Sequence, residues 1–409
     1  MRIARTTRAA LAVTATVAAV AGLAAGPAAA TAPVAPGHAA TARTLPADTR
    51  FLADPASKAA AQAVADLRAG DLAGAGAMAR LASQPVAQWF TGTTDPAQTT
   101  HDMAVLQAKA AVLHRTPVAV AYNIPGRDCS QYSAGGASTS AEYATWVDAL
   151  AKGIGGHRTV VVLEPDGLAL SPASCGGTAA QQADRLAEVN AAVDRLEQQS
   201  GALVYLDGGH SSWQNVGTMA QLLDDAGMAR AQGFFLNVSN YQTDADLTRY
   251  GTQVAKCSWY LGHTPGASAG DCANQYWPAA DADSWYASHV PADAVLAHFV
   301  IDSSRNGQGP WTPTATYPDA QTWCNPPGRG LGVRPTADTG VPLLDAFLWI
   351  KVPGESDGSC TRGTAGPADP EYGIVDPAAG AWWPAQATSL VANASPALGF
   401  GAGVPTHLG

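Results

Sequence analysis

The sequence is poor in charge, and beyond its first thirty residues it has no long apolar run. Only 14% of its 409 residues are Asp, Glu, Lys or Arg, while 47% are hydrophobic. That balance argues against a largely disordered chain and can bury the core of one large domain or two small ones. Basic residues are the scarcer sign, 23 Lys and Arg against 33 Asp and Glu. The deficit argues against a nucleic-acid partner, which is held by basic neutralisation of phosphates. After residue 30 nothing approaches the roughly 18 consecutive apolar residues of a membrane span, so a soluble chain with no membrane partner is expected. Also missing are a Cys-x-x-Cys or Cys/His spacing suited to zinc, a D-x-D-x-D-G calcium loop and any internal repeat.

What is present begins with an export pattern. Arg2, Arg5 and Arg8 precede the apolar run "LAVTATVAAVAGLAA" and the small-residue stretch "GPAAA", the three regions of a secretory signal peptide over residues 1–30. Residues 31–47 open with the Ala/Pro/Thr-rich "TAPVAPGHAATARTL", a leader or linker, and one domain is expected over 48–409. Removing the three signal arginines takes the formal charge from -10 to -13, since residues 1–30 hold no Asp or Glu. Six cysteines, Cys129, Cys175, Cys257, Cys272, Cys324 and Cys360, are an even set in a chain marked for export, which favours disulfides.

Short apolar runs then recur with helical stretches between them: "VAQWF" (86–90), "PVAVAYNI" (117–124), "TVVVLEPD" (159–166), "ALVYLDGG" (202–209), "GFFLNVSNY" (233–241), "LAHFVIDSS" (296–304) and "AFLWIKVPGESD" (346–357). Between the second and third runs, Thr139-x-x-Glu142 opens a helix as a capping box, and Gly153 and Gly155 close it. A second helix, "AAQQADRLAEVNAAVDRLEQQ", follows the third run. Strands apolar on both faces, alternating with helices, predict an α/β fold with a covered parallel sheet. Seven such units favour a barrel over an open sheet.

Asp128, Asp166, Asp207, Asp302 and Asp357 all fall at or just after the ends of these runs. In a parallel barrel that rim carries the active site; the alternative is that each caps the next helix. Carboxylates crowded in one pocket repel, so one is pushed to hold a proton as a general acid while another stays ionised to handle water, the equipment of glycoside hydrolysis. A hard-cation site is the competing use of such a cluster. Trp89, Trp213 and Trp323 sit where indole faces can stack on sugar rings, with core packing as the alternative fate. His210, Asn240, Arg305, Lys351 and Glu355 offer hydrogen bonds to hydroxyls. "GASAG" (266–270) matches the G-x-S-x-G pattern of serine hydrolases, but it follows no apolar strand and lies between Cys257 and Cys272.

Six stretches in order resemble the motifs of glycoside hydrolase family 6, the secreted cellulases that cut β-1,4-glucan with inversion: "AYNIPGRDCSQYSAGG" (121–136), "VVVLEPDGLAL" (160–170), "VYLDGGHSSW" (204–213), "NVSNY" (237–241), "WCNPPGRGLGVRP" (323–335) and "LLDAFLWIKVPGESDG" (343–358). The resemblance covers about residues 48 to 409. It implies a distorted, partly open parallel β/α barrel of about seven strands, with substrate in a groove across its carboxyl end. It implies Asp166 as general acid, Asp128 as the neighbour that raises its pKa, and Asp357 as candidate base. Acid and base should stand about 6.5–9.5 Å apart. Glu164, two residues before Asp166, should point to the same side of a regular strand and support the site. Tyr122 is implied to crowd the sugar at the cleavage point and Asp207 to be a further carboxylate of the centre. Trp213 and Trp323 are implied as stacking platforms, Lys351 and Glu355 as glucan contacts, with Trp89 a looser match and Asn240 a further polar contact.

The resemblance pairs Cys129 with Cys175 and Cys324 with Cys360, leaving Cys257 to Cys272. No cofactor is called for, the partner is a β-1,4-glucan polysaccharide, and an extracellular monomer is expected. The short loop "CSQYSAGGAS" after Asp128 resembles internally cutting members. The segment 355–382 is longer than a minimal internally cutting member needs, so an endoglucanase is the reading, with a chain-end cellobiohydrolase of the same family and a secreted glucan-binding protein without catalysis as its alternatives.

Overall fold

The computed structural model describes residues 45–400, so the expected signal peptide, most of the leader and residues 401–409 lie outside the described residues. Each apolar run supplies one strand: β1 (Gln88–Phe90), β2 (Val118–Ala121), β3 (Thr159–Leu163), β4 (Ala202–Asp207), β5 (Gly233–Leu236), β6 (His298–Asp302) and β7 (Leu344–Leu348). All pair in parallel, each with its neighbour in the chain, in the order β1 to β7.

The reason is visible in β3, where all five residues are buried. Val160 and Val162 join Val118, Val120, Leu203, Phe235 and Leu348 in an inner core. Val161 and Leu163 face outward among Leu106, Leu150, Val189 and Val193. A strand apolar on both faces needs cover on both, which a curled sheet inside a helical layer provides. No ladder joins β7 to β1 among the described residues. Instead the Ala87 N–H reaches the Trp349 carbonyl (2.9 Å) and the Trp89 indole N–H reaches the Ile350 carbonyl (2.8 Å). The partly open parallel barrel expected from the sequence is what forms.

The outer layer consists of α3 (Pro96–Leu113), α4 (Ser140–Ile154), α5 (Ala179–Glu197), α6 (Val216–Asp225), α7 (Asp244–His263) and α8 (Ala279–His289), after a hairpin of α1 (Lys58–Ala69) and α2 (Leu72–Ala82). α9 (Pro384–Ala392) follows β7 and packs with that hairpin around Met78, Leu81, Trp349 and Leu390. Burying a side chain such as Leu81 stabilises by about 1.5–3 kcal/mol. This N-terminal hairpin, with no motif to announce it, was not anticipated.

In α4 the Thr139 hydroxyl accepts the Glu142 N–H as expected, but the Glu142 carboxylate takes the N–H of Ser138 instead of closing the box on Thr139. Gly155 ends the helix at φ 55°. Gly153 lies inside it, and its small size has another cause: a Cβ there would stand 2.6 Å from that of Met103 on α3.

Candidate active site

A trench of about 670 Å³ runs across the carboxyl ends of the strands. Its lining includes Trp89, Tyr122, Asp128, Asp166, Trp213, Asn240, Trp323, Lys351, Glu355 and Asp357. Loops after all seven strands therefore contribute, as a barrel rim requires.

Asp166 sits in a turn just past β3, with both Glu164 (φ 53°) and Asp166 (φ 65°) left-handed and the Gly167 N–H closing on the Glu164 carbonyl at 2.8 Å. Burial, then the charges of Asp207 and Asp128, push the Asp166 carboxyl well above the usual carboxylate range, against the pull of Lys351. Asp128 is raised as well, by burial, in spite of the Ser133 N–H on its Oδ2 (2.6 Å) and nearby Arg127. It stands at φ 57°, followed by Cys129 at φ 44°, and the Cys129–Cys175 disulfide ties this turn to the loop after β3. Tyr122 lies edge-on to Trp89, ring centroids 5.3 Å apart, beneath the Arg127 guanidinium at 4.5 Å. Burial, Asp166 and Asp128 all raise its pKa, so it stays a neutral phenol.

The opposite wall holds a carboxylate of the other character. Burial would raise Asp357, but Arg305 and Lys351 outweigh it and hold this group below the ordinary range. Arg305 Nη1 stands 2.8 Å from Oδ2 and Lys351 Nζ 3.1 Å from Oδ1. The Tyr241 hydroxyl (3.2 Å) and the Asn325 N–H (3.0 Å) also donate to Oδ2. Arg305 is itself fixed by the Ser239 carbonyl (2.7 Å) and lies over the Tyr241 ring. Asn325 holds the Asp357 N–H through its own side-chain oxygen (2.8 Å), and the Cys324–Cys360 disulfide pins Trp323 beside it.

The sequence pattern described as Glycosyl hydrolases family 6 matches residues 46–394. The chain belongs to that family. Among curated relatives it is similar to Endoglucanase A of Cellulomonas fimi, 38% identical over 77% of this chain and 56% of that one. It is also similar to Endoglucanase 1 of Streptomyces halstedii, 36% identical over 82% of this chain and 90% of that one. It thus spans little more than half of the Cellulomonas relative. A solved structure of the endoglucanase Cel6 from Mycobacterium tuberculosis, in complex with methyl-cellobiosyl-4-deoxy-4-thio-β-D-cellobioside, matches at 34% identity and a TM-score of 0.67, covering 85% of this chain and 98% of that one.

In this family 6 chain several side chains stand elsewhere than the sequence suggested. Asp207, expected to contact sugar, is not on the trench surface. Its carboxylate is taken up by the N–H groups of Leu168 (3.1 Å), Ala169 (2.8 Å) and Gly209 (3.0 Å), and it acts on Asp166 from behind as a buried charge. Glu164 does not share the side of Asp166. β3 stops at Leu163, the left-handed turn reverses the alternation, and the carboxylate caps the N–H groups of Asn123 and Ile124 near Tyr143 and Arg185 of the helical layer.

Asp302 is likewise an anchor, accepting from Ser304, Ile350 and Lys351. Arg305 serves Asp357 instead of facing a ligand, while burial presses His210, on the trench wall, down to about 4. Glu355 lines the trench but is engaged by Lys58 of α1 at 2.6 Å. Ser268 caps a short 3-10 turn with Asp271, in a loop closed by Cys257–Cys272, so "GASAG" is no nucleophile elbow. Cys360, Asp369 and Asp376 cluster like metal ligands, yet the thiol is spent in a disulfide and Asp369 pairs with buried Arg362 at 2.7 Å. Tyr132, missed as a candidate, joins the wall 5.9 Å from Trp323; a lone Tyr in a Gly/Ser loop was its signal.

Proposed function

We propose that this chain is an exported, inverting β-1,4-glucan hydrolase that cuts within the polymer. One observation carries the proposal: a single trench holds a carboxyl group pushed up, Asp166, and a carboxylate held down, Asp357. The first is biased toward holding a proton to give and the second toward keeping its charge, the division of labour that inversion needs. Asp166 protonates the glycosidic oxygen. Asp128 and Asp207 keep that proton in place by their charge. Water attacks from the opposite face of the ring, oriented by Asp357, whose low proton affinity makes it an electrostatic partner of the developing positive charge as much as a base. Tyr122 presses on the sugar at the cleavage point, and Trp89, Trp213 and Trp323 supply faces for neighbouring rings. The named relatives, and the thio-cellobioside of the mycobacterial complex, support a β-glucan as substrate. The arginine-led apolar N-terminus and the three disulfides support export.

Release of cellobiose from chain ends is favoured by one contact. The loop after β2 reaches across to the loop after β7, where Tyr132 packs so closely on Gly358 that a Cβ there would lie 2.4 Å from its own. Viscosity against reducing ends on carboxymethylcellulose and barley glucan decides between the two. A steep early fall in viscosity, lost in Asp166→Ala, is the expected outcome. Rising reducing ends at nearly constant viscosity would replace it with chain-end action, and inactive wild type would leave a binding protein. Product of α configuration in an early NMR spectrum is expected for inversion.

A further inference from the structure

The loop between α7 and α8 presents two aromatic rings that the trench does not account for. Tyr276 is 68% exposed and Trp277 39%; among the described Tyr, Trp and Phe residues, every other one except Phe400 is buried or half-buried. The segment that holds them is fastened at many points. Cys272 is bonded to Cys257, the Tyr286 hydroxyl donates to the Ala273 carbonyl (2.7 Å), and Asn274 accepts the N–H groups of both Tyr276 (3.0 Å) and Trp277 (3.0 Å). The Arg249 guanidinium donates to the Trp277 carbonyl (3.0 Å). Rings on a loop so tightly held lose little freedom when a ligand lies on them.

Its position is equally specific. Gln275 donates to the Gln214 carbonyl (2.9 Å) and accepts the Val216 N–H (3.2 Å). Gln214 directly follows Trp213, a lining residue of the trench. Val216 is the first residue of α6, the helix that follows β4, and helices of βα units begin on the side where the strands end. The loop that carries the two rings is therefore on the trench side of the barrel, hydrogen-bonded to the residue that follows Trp213.

We propose that Tyr276 and Trp277 form a distal sugar platform that continues the trench past Trp213 and takes a further stretch of the same β-1,4-glucan chain. This rests on the glucanase reading of the trench. Continuity with the trench selects this occupant, because the loop is bonded through Gln275 to the segment that carries Trp213. Extra stacking far from the cleavage point gives preference for long chains over short ones.

The test compares kcat/KM on barley glucan with kcat/KM on cellotetraose for the wild type, Tyr276→Ala, Trp277→Ala and Tyr276→Phe. Each alanine variant should lower the long-to-short ratio about three- to ten-fold, the usual worth of one aromatic contact, and Tyr276→Phe should keep it. A wild-type ratio in both alanine variants overturns the platform. Affinity electrophoresis in soluble barley glucan, with the same substitutions placed in Asp166→Ala, gives a readout independent of turnover. Lower retardation of the alanine variants supports the platform, and equal retardation overturns it. If the wild type attacks neither substrate, the glucanase reading fails and the platform falls with it; if it attacks both at an unaltered ratio in the variants, only the platform fails.

Discussion

Glu164→Gln separates the two carboxylates that follow β3 by a measurement unconnected with turnover. Burial raises the Glu164 carboxyl from 4.5 to about 7, opposed by the Asn123 and Ile124 N–H groups. A group raised in the fold contributes stability that is complete below its unfolded value and lost as pH climbs through its folded value. The window is therefore pH 4.5 to about 7, and at about 1.4 kcal/mol per unit the whole loss is about 3 kcal/mol.

Glutamine does not titrate. It has one oxygen for N–H groups that now meet two, at 2.9–3.0 Å, a constant cost of about 1–3 kcal/mol. Urea unfolding at pH steps from 4.5 to 8 should show the variant weaker at the acid end, with the gap shrinking by about 3 kcal/mol until the curves meet or cross. A gap that stays constant, or widens with pH, would refute a buried, mostly protonated Glu164.

Other perturbations address the trench. Asp128→Asn removes a charge that raises Asp166, so the alkaline limb of the kcat/KM profile should move to lower pH; an unmoved limb breaks the link between the two. Arg305→Met leaves Asp357 buried with only Lys351 as ion-pair partner. Unfolding at neutral pH should show a loss of about 3–5 kcal/mol. The wild-type Asp357 contribution is present above the ordinary carboxylate value and disappears as pH falls through its lowered one, so the acid limb should move up in the variant. The paired change Cys324→Ser with Cys360→Ser opens a bridge of sequence separation 36, worth about 4 kcal/mol by chain entropy; thermal unfolding reads that loss, and a rise in KM reads the loosening of Trp323.

The strands were legible because burial on both faces writes an unbroken apolar run; six runs contain a strand, and the seventh, 346–357, overlaps β7, which begins two residues earlier at Leu344. Chain ends of those runs also located Asp166, Asp128 and Asp357, since polar residues interrupt apolar sequence abruptly. What stayed hidden depended on backbone reversal or on partners far away in sequence. Nothing in "LEPDG" tells that two left-handed residues in three swing Glu164 away from Asp166. Asp207 looks like any strand-end carboxylate until three N–H groups are found on it. Lys58 lies 297 positions from Glu355, and no local pattern joins them.

The seam between β1 and β7 sets an order of assembly. Because strands lie side by side in the order of synthesis, each emerging strand can dock on its predecessor, and the folding of the sheet can follow the growing chain. Asp166 arrives with the third strand. Arg305, Lys351 and Asp357 arrive only with the last two, and the bond from Trp89 to Ile350 closes across 261 positions. A nascent or truncated chain ending before residue 357 has Asp166 without the charged carboxylate that shares its trench. The opposed pair of the trench thus exists only once the chain has grown past its seventh strand.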